Sequence, residues 1–184
     1  MMKTRNGFVS NSSSSSFILK GIEPGLSKDK LMEKLSTGKV NDVYQDAIYG
    51  QYVTNTHSKQ DLKELIECLL YQWDYDLNHS KHSSVTFFEN DEIRFMPCYQ
   101  YCRTVEIPKF EKTFNVKIDI DRIKKFGKTY EEMQEDAETL AQEIVNSIEG
   151  PFSIVAFSDD TDIGSEIEHE VLPKVECVYQ VSHH

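Results

Sequence analysis

Positive charge is scarce in this chain. Its 184 residues hold 20 Lys and Arg against 31 Asp and Glu, a formal net charge of −11. That balance argues against general binding to nucleic-acid backbones or anionic membranes, which needs an excess of cations. It leaves room for a basic protein partner. Cysteine is sparse too: four residues, at 68, 98, 102 and 177, with irregular spacing. They form no disulfide framework and read as reduced thiols. No apolar run approaches membrane-spanning length. Lys3 and Arg5 are followed by a Ser tract too polar for a signal peptide, so the expected location is the cytoplasm. Internal repeats, a phosphate-binding Walker loop, a Gly-x-Gly-x-x-Gly turn and a Ser nucleophile elbow are all missing.

Enough apolar material is present to build a core. Hydrophobic residues make up 39% and aromatics 11%. The length suits a single domain spanning 1–184, with a Ser-rich segment at 1–20 and a β-α-β unit at 152–184. Two long amphipathic helices are predicted. The first covers 58–75: Ser58 precedes Leu62, Leu65, Ile66, Leu69, Leu70 and Trp73 at helical spacing. The second covers 129–149, opened by a Thr129–Glu132 capping box and closed by Gly150-Pro151. Its apolar stripe is predicted to run from Tyr130 and Met133 to Ile148. Its other face carries Glu131, Glu135, Asp136, Glu138 and Glu143 with no Lys or Arg. The predicted fold class is mixed α+β: a central mixed sheet flanked by these two helices.

Smaller elements follow the same logic. Ser27 opens a short helix to Leu35, and Asp42–Tyr49 is either a helix or a loop. A hairpin is predicted from Val85–Glu89 and Glu92–Met96, turning at Asn90-Asp91. Arg103–Pro108 reads as extended. Val116, Ile118 and Ile120 alternate as a strand inside the one basic region, Lys109–Lys128. His79, His82, Cys98 and Cys102 are zinc-type ligands, but their spacing matches no finger.

The C-terminal unit holds the main candidate site. Phe152–Phe157 reads as a buried strand. Ser165 and Glu168 form a capping-box pattern, and Pro173 ends that helix. Val175, Cys177, Tyr179 and Val181 alternate as a half-buried strand, with Val178 out of phase. The connection is long enough to return the second strand parallel to the first. Parallel strands put both carboxyl ends on one rim, where ligands of open sheets collect. Asp159 and Asp160 would then meet His183 and His184. Carboxylates with imidazoles suit a divalent Zn, Mn or Fe ion, which generates a nucleophile by lowering the pKa of bound water. Strand parity puts His183 and His184 on opposite faces, so both bind one ion only if the strand breaks at Ser182. His169, opposite Ile167 and Val171, reads as solvated. At the other end, Ser12, Ser13 and Ser14 belong to a Ser10–Ser16 loop whose hydroxyls and N–H groups suit an anionic ligand.

The run Gly7 to Phe17 (GFVSNSSSSSF) resembles the opening of a group of uncharacterised bacterial and bacteriophage proteins. Ser158-Asp159-Asp160, Ile163 to His169 and the closing Ser182-His183-His184 are similar to their endings. The group brings no established activity and no catalytic residue. The resemblance implies that the His pair is native and that the two ends of the chain meet. Two functions are expected from these observations: a metal-binding protein with a hydrolase-like site, or a non-catalytic acidic protein that binds or inhibits a basic partner.

Overall fold

A computed structural model describes residues 14–36, 40–55, 57–78, 84–89, 92–97 and 106–182, with 84–89, 92–97 and Ser182 given as backbone only. The class is mixed α+β, as expected: a three-stranded and a two-stranded sheet with seven α-helices among the described residues. The described chain divides into two compact units. One takes the residues up to His57 and those from Pro151 onward; the other takes the residues between.

The first unit is built on β1 (Ser14–Lys20), which lies between β4 (Phe152–Ser158) and β5 (Val178–Ser182) in the order β4-β1-β5. Both neighbours run antiparallel to β1. β4 and β5 are therefore parallel to each other, as the sequence suggested, but separated by a strand. The expected mixed sheet becomes antiparallel at every ladder, because an N-terminal strand takes the central place. Ser14–Ser16, read as loop, are strand residues. Ser15 is fully buried, and Ser16 is nearly so. Each polar backbone group of a central strand is paired on both sides, which offsets the weak strand propensity of serine.

Antiparallel partners share a face. Phe17 and Leu19 of β1 therefore lie beside Val155 of β4 and Val178 of β5, and all four enter one apolar cluster. Phe157, beside Ser15, joins them, with Phe17 and Phe157 edge to face at 6.3 Å. Helix α1 (Lys28–Leu35) adds Leu31, Met32 and Leu35; helix α2 (Asp42–Thr54) adds Ile48 and Tyr52; Ile167 and Leu172 complete it. Each large side chain buried here contributes about 1.5–3 kcal/mol. The opposite face is buried as well, at Ile18, Ile154, Tyr179 and Val181. That explains the phase break at Val178: a strand covered on both sides has no reason to alternate. At the far end of the sheet, the Gly21 N–H donates to the Pro151 carbonyl at 2.8 Å.

The ambiguous 42–54 segment is helical. The Asn41 side chain caps it by accepting from the Tyr44 N–H at 2.9 Å. Tyr52 docks through its hydroxyl, which takes the Leu26 N–H at 2.9 Å and donates to the Glu23 carbonyl. His57 was not singled out from sequence, yet it closes the edge of β4. Its Nδ1 accepts the Ile154 N–H at 3.3 Å, and its Nε2 lies 2.9 Å from the Tyr52 carbonyl, which fixes an Nε2–H tautomer.

The second unit contains α3 (Lys59–Asn78), the hairpin β2 (Ser84–Glu89) and β3 (Glu92–Pro97), α4 (Ile107–Phe114), α5 (Ile120–Ile123) and α6 (Tyr130–Ser147). The long helices α3 and α6 pack on one another here. The cluster above takes its helical side chains from α1, α2 and 167–172. The hairpin pairs the two predicted strands, with Glu89 opposite Glu92; the predicted turn at Asn90-Asp91 lies outside the described residues. The capping box at Thr129 and Glu132 is present in full. Tyr130, assigned to the apolar stripe, is 59% exposed, because the stripe begins one turn later at Met133 and Ala137.

Two readings in and just before the basic region are corrected; of Arg103–Pro108, read as extended, residues 103–105 lie outside the described residues and the last two begin a helix. Ile107–Phe114 is a helix with Pro108 in its first turn, where the missing N–H costs nothing. The Phe110 and Phe114 rings lie 4.6 Å apart at a 47° tilt, and Phe110 meets Trp73 edge-on at 5.5 Å. The Val116–Ile120 run forms no strand. The Glu111 carboxylate takes the Ile118 N–H at 2.9 Å, in place of a neighbouring strand's carbonyl. That bond, helped by Lys117, holds the Glu111 carboxyl below its ordinary range.

Candidate functional site

The strand order fixes a rim. Ser158, the last residue of β4, pairs with Ser14, the first of β1. Ser182, the last of β5, pairs with Ser15. The carboxyl ends of β4 and β5 thus flank the start of β1. Strand spacing of about 4.8 Å puts the two outer strands about 10 Å apart at this rim.

The loop after β4 is locally organised. The Ser158 hydroxyl donates to Asp160 Oδ2 at 2.8 Å and accepts the Asp160 N–H at 3.2 Å. Asp159 and Asp160 are exposed. Thr161 Oγ1 then accepts the Gly164 N–H at 3.0 Å and starts helix α7 (Asp162–Glu166). Gly164 is obligatory on steric grounds. A Cβ there would stand 2.1 Å from the Ser158 carbonyl oxygen and 2.8 Å from Thr161 Oγ1. This contact seats the helix on the end of β4.

Beyond α7 the helix widens into a π turn, Ile167–Val171, and then tightens into a 3₁₀ turn, Leu172–Lys174. Single π turns recur at functional sites. Here the turn buries two consecutive side chains, Ile167 and Glu168, both with no exposed surface. Glu168 was expected to close a capping box with Ser165. Thr161 caps the helix instead, one turn earlier, and Glu168 points inward. Its Oε1 accepts the Ser15 hydroxyl at 2.6 Å. Ser15 Oγ in turn accepts from Gln180 Nε2 at 2.9 Å. Glu168 Oε2 is buried and has no hydrogen-bond partner among the described residues. His169 is exposed, as expected, and the Glu166 carboxylate accepts a hydrogen bond from the Tyr44 hydroxyl.

Of the residues selected from sequence, Asp159 and Asp160 stand at this rim. Ser14 stands there too, as a β1 residue rather than part of a loop. Ser12, Ser13, His183 and His184 lie outside the described residues, as do His79, His82, Cys98 and Cys102. Among the described residues, no three His, Cys, Asp or Glu come together closely enough to hold a metal ion. Ser15, Glu168 and Gln180 were missed as a group. Only the alternation of β5 gave a hint, by placing polar Gln180 between buried neighbours.

The acidic face of α6 is less one-sided than its sequence. Lys63 reaches Glu138 at 2.7 Å, and Arg122 grips Glu143 with bonds of 2.5 and 3.1 Å. Asp136 accepts the Gly127 N–H at 2.9 Å. The cations missing from α6 come from α3 and α5. Among the described residues, no helix is long and apolar enough to cross a membrane. Comparison with family models, with curated proteins and with solved structures finds no match to this chain.

Proposed function

We propose that this chain binds a divalent metal ion, Zn, Mn or Fe, at the rim where β4 and β5 end beside the start of β1. Asp159 and Asp160 supply carboxylates from one side. His183, which follows Ser182 in the chain, supplies an imidazole from the other; β5 extends through Ser182, so the condition for His184 to join the same ion, a strand break there, is not met. The observation that carries this reading is the register: Ser158 and Ser182 occupy adjacent positions across β1. Ligand bonds near 2.0–2.2 Å on either side of an ion span about 4 Å of the roughly 10 Å gap, which leaves a distance that two side chains cover. A mixed oxygen and nitrogen donor set favours first-row divalent ions. An ion held by three protein ligands keeps a position for water, and lowering that water's pKa makes hydrolysis the natural chemistry.

Elemental analysis of protein purified without a His-tag tests this directly. About one equivalent of metal per chain is expected, lost in His183→Ala and reduced in Asp159→Asn. The loaded protein should cleave a chromogenic phosphodiester, and a chelator should stop it. Metal-free protein that takes up no added Zn, Mn or Fe overturns the reading.

A further inference from the structure

His57 makes a bond that only a neutral imidazole can make. Its Nδ1 accepts the Ile154 N–H at 3.3 Å, and its Nε2 donates to the Tyr52 carbonyl, 2.9 Å away. The carbonyl takes a donor in either charge state of the ring. Nδ1 does not serve both states: an imidazolium carries a proton on each nitrogen and accepts nothing. Proton uptake therefore sets Nδ1–H against the Ile154 N–H, donor facing donor. Ile154 is buried, and a buried donor left without an acceptor is costly.

The groups around the ring do not offset that cost. From α2, the Tyr52 ring lies 5.5 Å away and is the titratable group in contact. Its hydroxyl is already engaged by the Glu23 carbonyl and the Leu26 N–H. From β4, the contact is the Ile154 backbone. The charged residues next in the chain are Lys59, which is exposed, and Asp61, whose carboxylate takes the Ser58 N–H at 3.1 Å. Among the described residues, no carboxylate forms an ion pair with His57.

Position gives the bond its consequence. The chain leaves the first unit after His57 and returns to it at Pro151, just before Ile154. β4 is an outer strand, with β1 on one side, and its Ile154 N–H goes to His57. The imidazole thus occupies a place on an edge that would otherwise template the pairing of another strand. We infer that His57 is an acid-released latch on the outer edge of β4: neutral, it clasps the strand to the end of α2; protonated, it lets go and opens that edge.

Amide hydrogen exchange on the full chain, followed by NMR and corrected for the intrinsic effect of pH, tests the latch. The open form binds the extra proton, so acid favours it. An imidazole released to solvent titrates near pH 6.5, so protection of the Ile154 amide should fall about tenfold between pH 7.5 and pH 5.5. The amides of Ile18 and Tyr179, paired between β1 and β5, should keep theirs. In His57→Asn the side-chain oxygen takes the place of Nδ1 and does not titrate, so Ile154 protection should be equal at the two pH values. The ring also reports without any variant: a long-range proton–nitrogen spectrum of wild type at the higher pH should show Nδ1 bare and Nε2 protonated. Should His57→Asn fail to fold, that spectrum and the wild-type exchange decide alone. A proton on Nδ1 at the higher pH overturns the inference. So does unchanged Ile154 protection in wild type, an equal loss in His57→Asn, or a loss shared by Ile18 and Tyr179.

Discussion

Folding buries charge in both units and treats it in opposite ways. Lys63, on α3, is 8% exposed, and its ammonium sits 2.7 Å from Glu138 and 3.3 Å from Glu67. Glu138 remains 56% exposed, so water still screens part of the group. The hydrogen bond to Glu138, more than any other cause, lifts the Lys63 pKa above its ordinary value. Glu168 has no surface at all, and the hydrogen bond it accepts from Ser15 comes from a neutral hydroxyl. The lysine is a structural charge: it lays its stem along the core and keeps its head among partners. The glutamate gains nothing comparable from the fold around it. The contrast separates a buried charge that is satisfied from one that is half satisfied, and the second asks for an explanation.

The largest effect is expected at the residue that seats the Glu168 turn. Gly164→Ala drives a methyl into the Ser158 carbonyl, a backbone atom that cannot swing aside. Either α7 lifts off the end of β4 or the strand end moves, and both separate Glu168 from Ser15. A loss of about 3 kcal/mol in urea unfolding is expected, at the upper end for overpacking. Metal affinity should fall with it. A loss below about 1 kcal/mol would mean that the turn shifts freely and that its geometry is not tuned.

Lys63 supplies the counterpart. Lys63→Ala removes the stem and leaves Glu67, 18% exposed, without its cation, so a cost of about 2 kcal/mol is expected. Lys63→Met keeps the apolar stem and should cost under about 1 kcal/mol, since a buried pair is often replaceable by apolar packing. The single Trp, Trp73, is fully buried on α3, so its fluorescence reports unfolding around this helix. Equal losses for the two variants would show that the ion pair, not the stem, holds Lys63 in place.

Sequence pattern revealed helices well and the site only in outline. The 3.6-residue stripes of α3 and α6 and the Thr129 capping box are local features, and the structure keeps them. The direction of β4 relative to β5 was legible from the length of their connection. The strand between them was not, because Ser14–Ser16 look like linker until a partner lies on each side. Val116–Ile120 shows the reverse error: a strand pattern with no strand beside it, its Ile118 N–H taken by a side chain. Glu168 was misread for a related reason. Its position fits a capping box, and only the earlier start at Thr161 and the π turn reveal that it faces inward. Register across 153 positions of chain, from Ser15 to Glu168, leaves no periodic trace in the residues themselves.

Glu111 gives the smallest and most specific test of the satisfied side. Its carboxylate replaces a strand partner for Ile118, and folding lowers its pKa, chiefly through that backbone hydrogen bond and then through Lys117. Lys117 is 90% exposed, so its share is largely screened. A carboxyl whose pKa falls on folding stabilises the protein fully above its unfolded pKa, about 4.3. The stabilisation drains away as pH drops through the folded value. Glu111→Gln keeps the shape and loses the charge. At pH 7 it should cost about 1 kcal/mol by Trp73 fluorescence, in the range of one charge-assisted hydrogen bond partly exposed to water. Between pH 5 and pH 3 the gap between variant and wild type should close. A gap that stays constant to pH 3 would assign the cost to shape rather than charge, and Glu111 would then stand with Lys63→Ala as a packing effect.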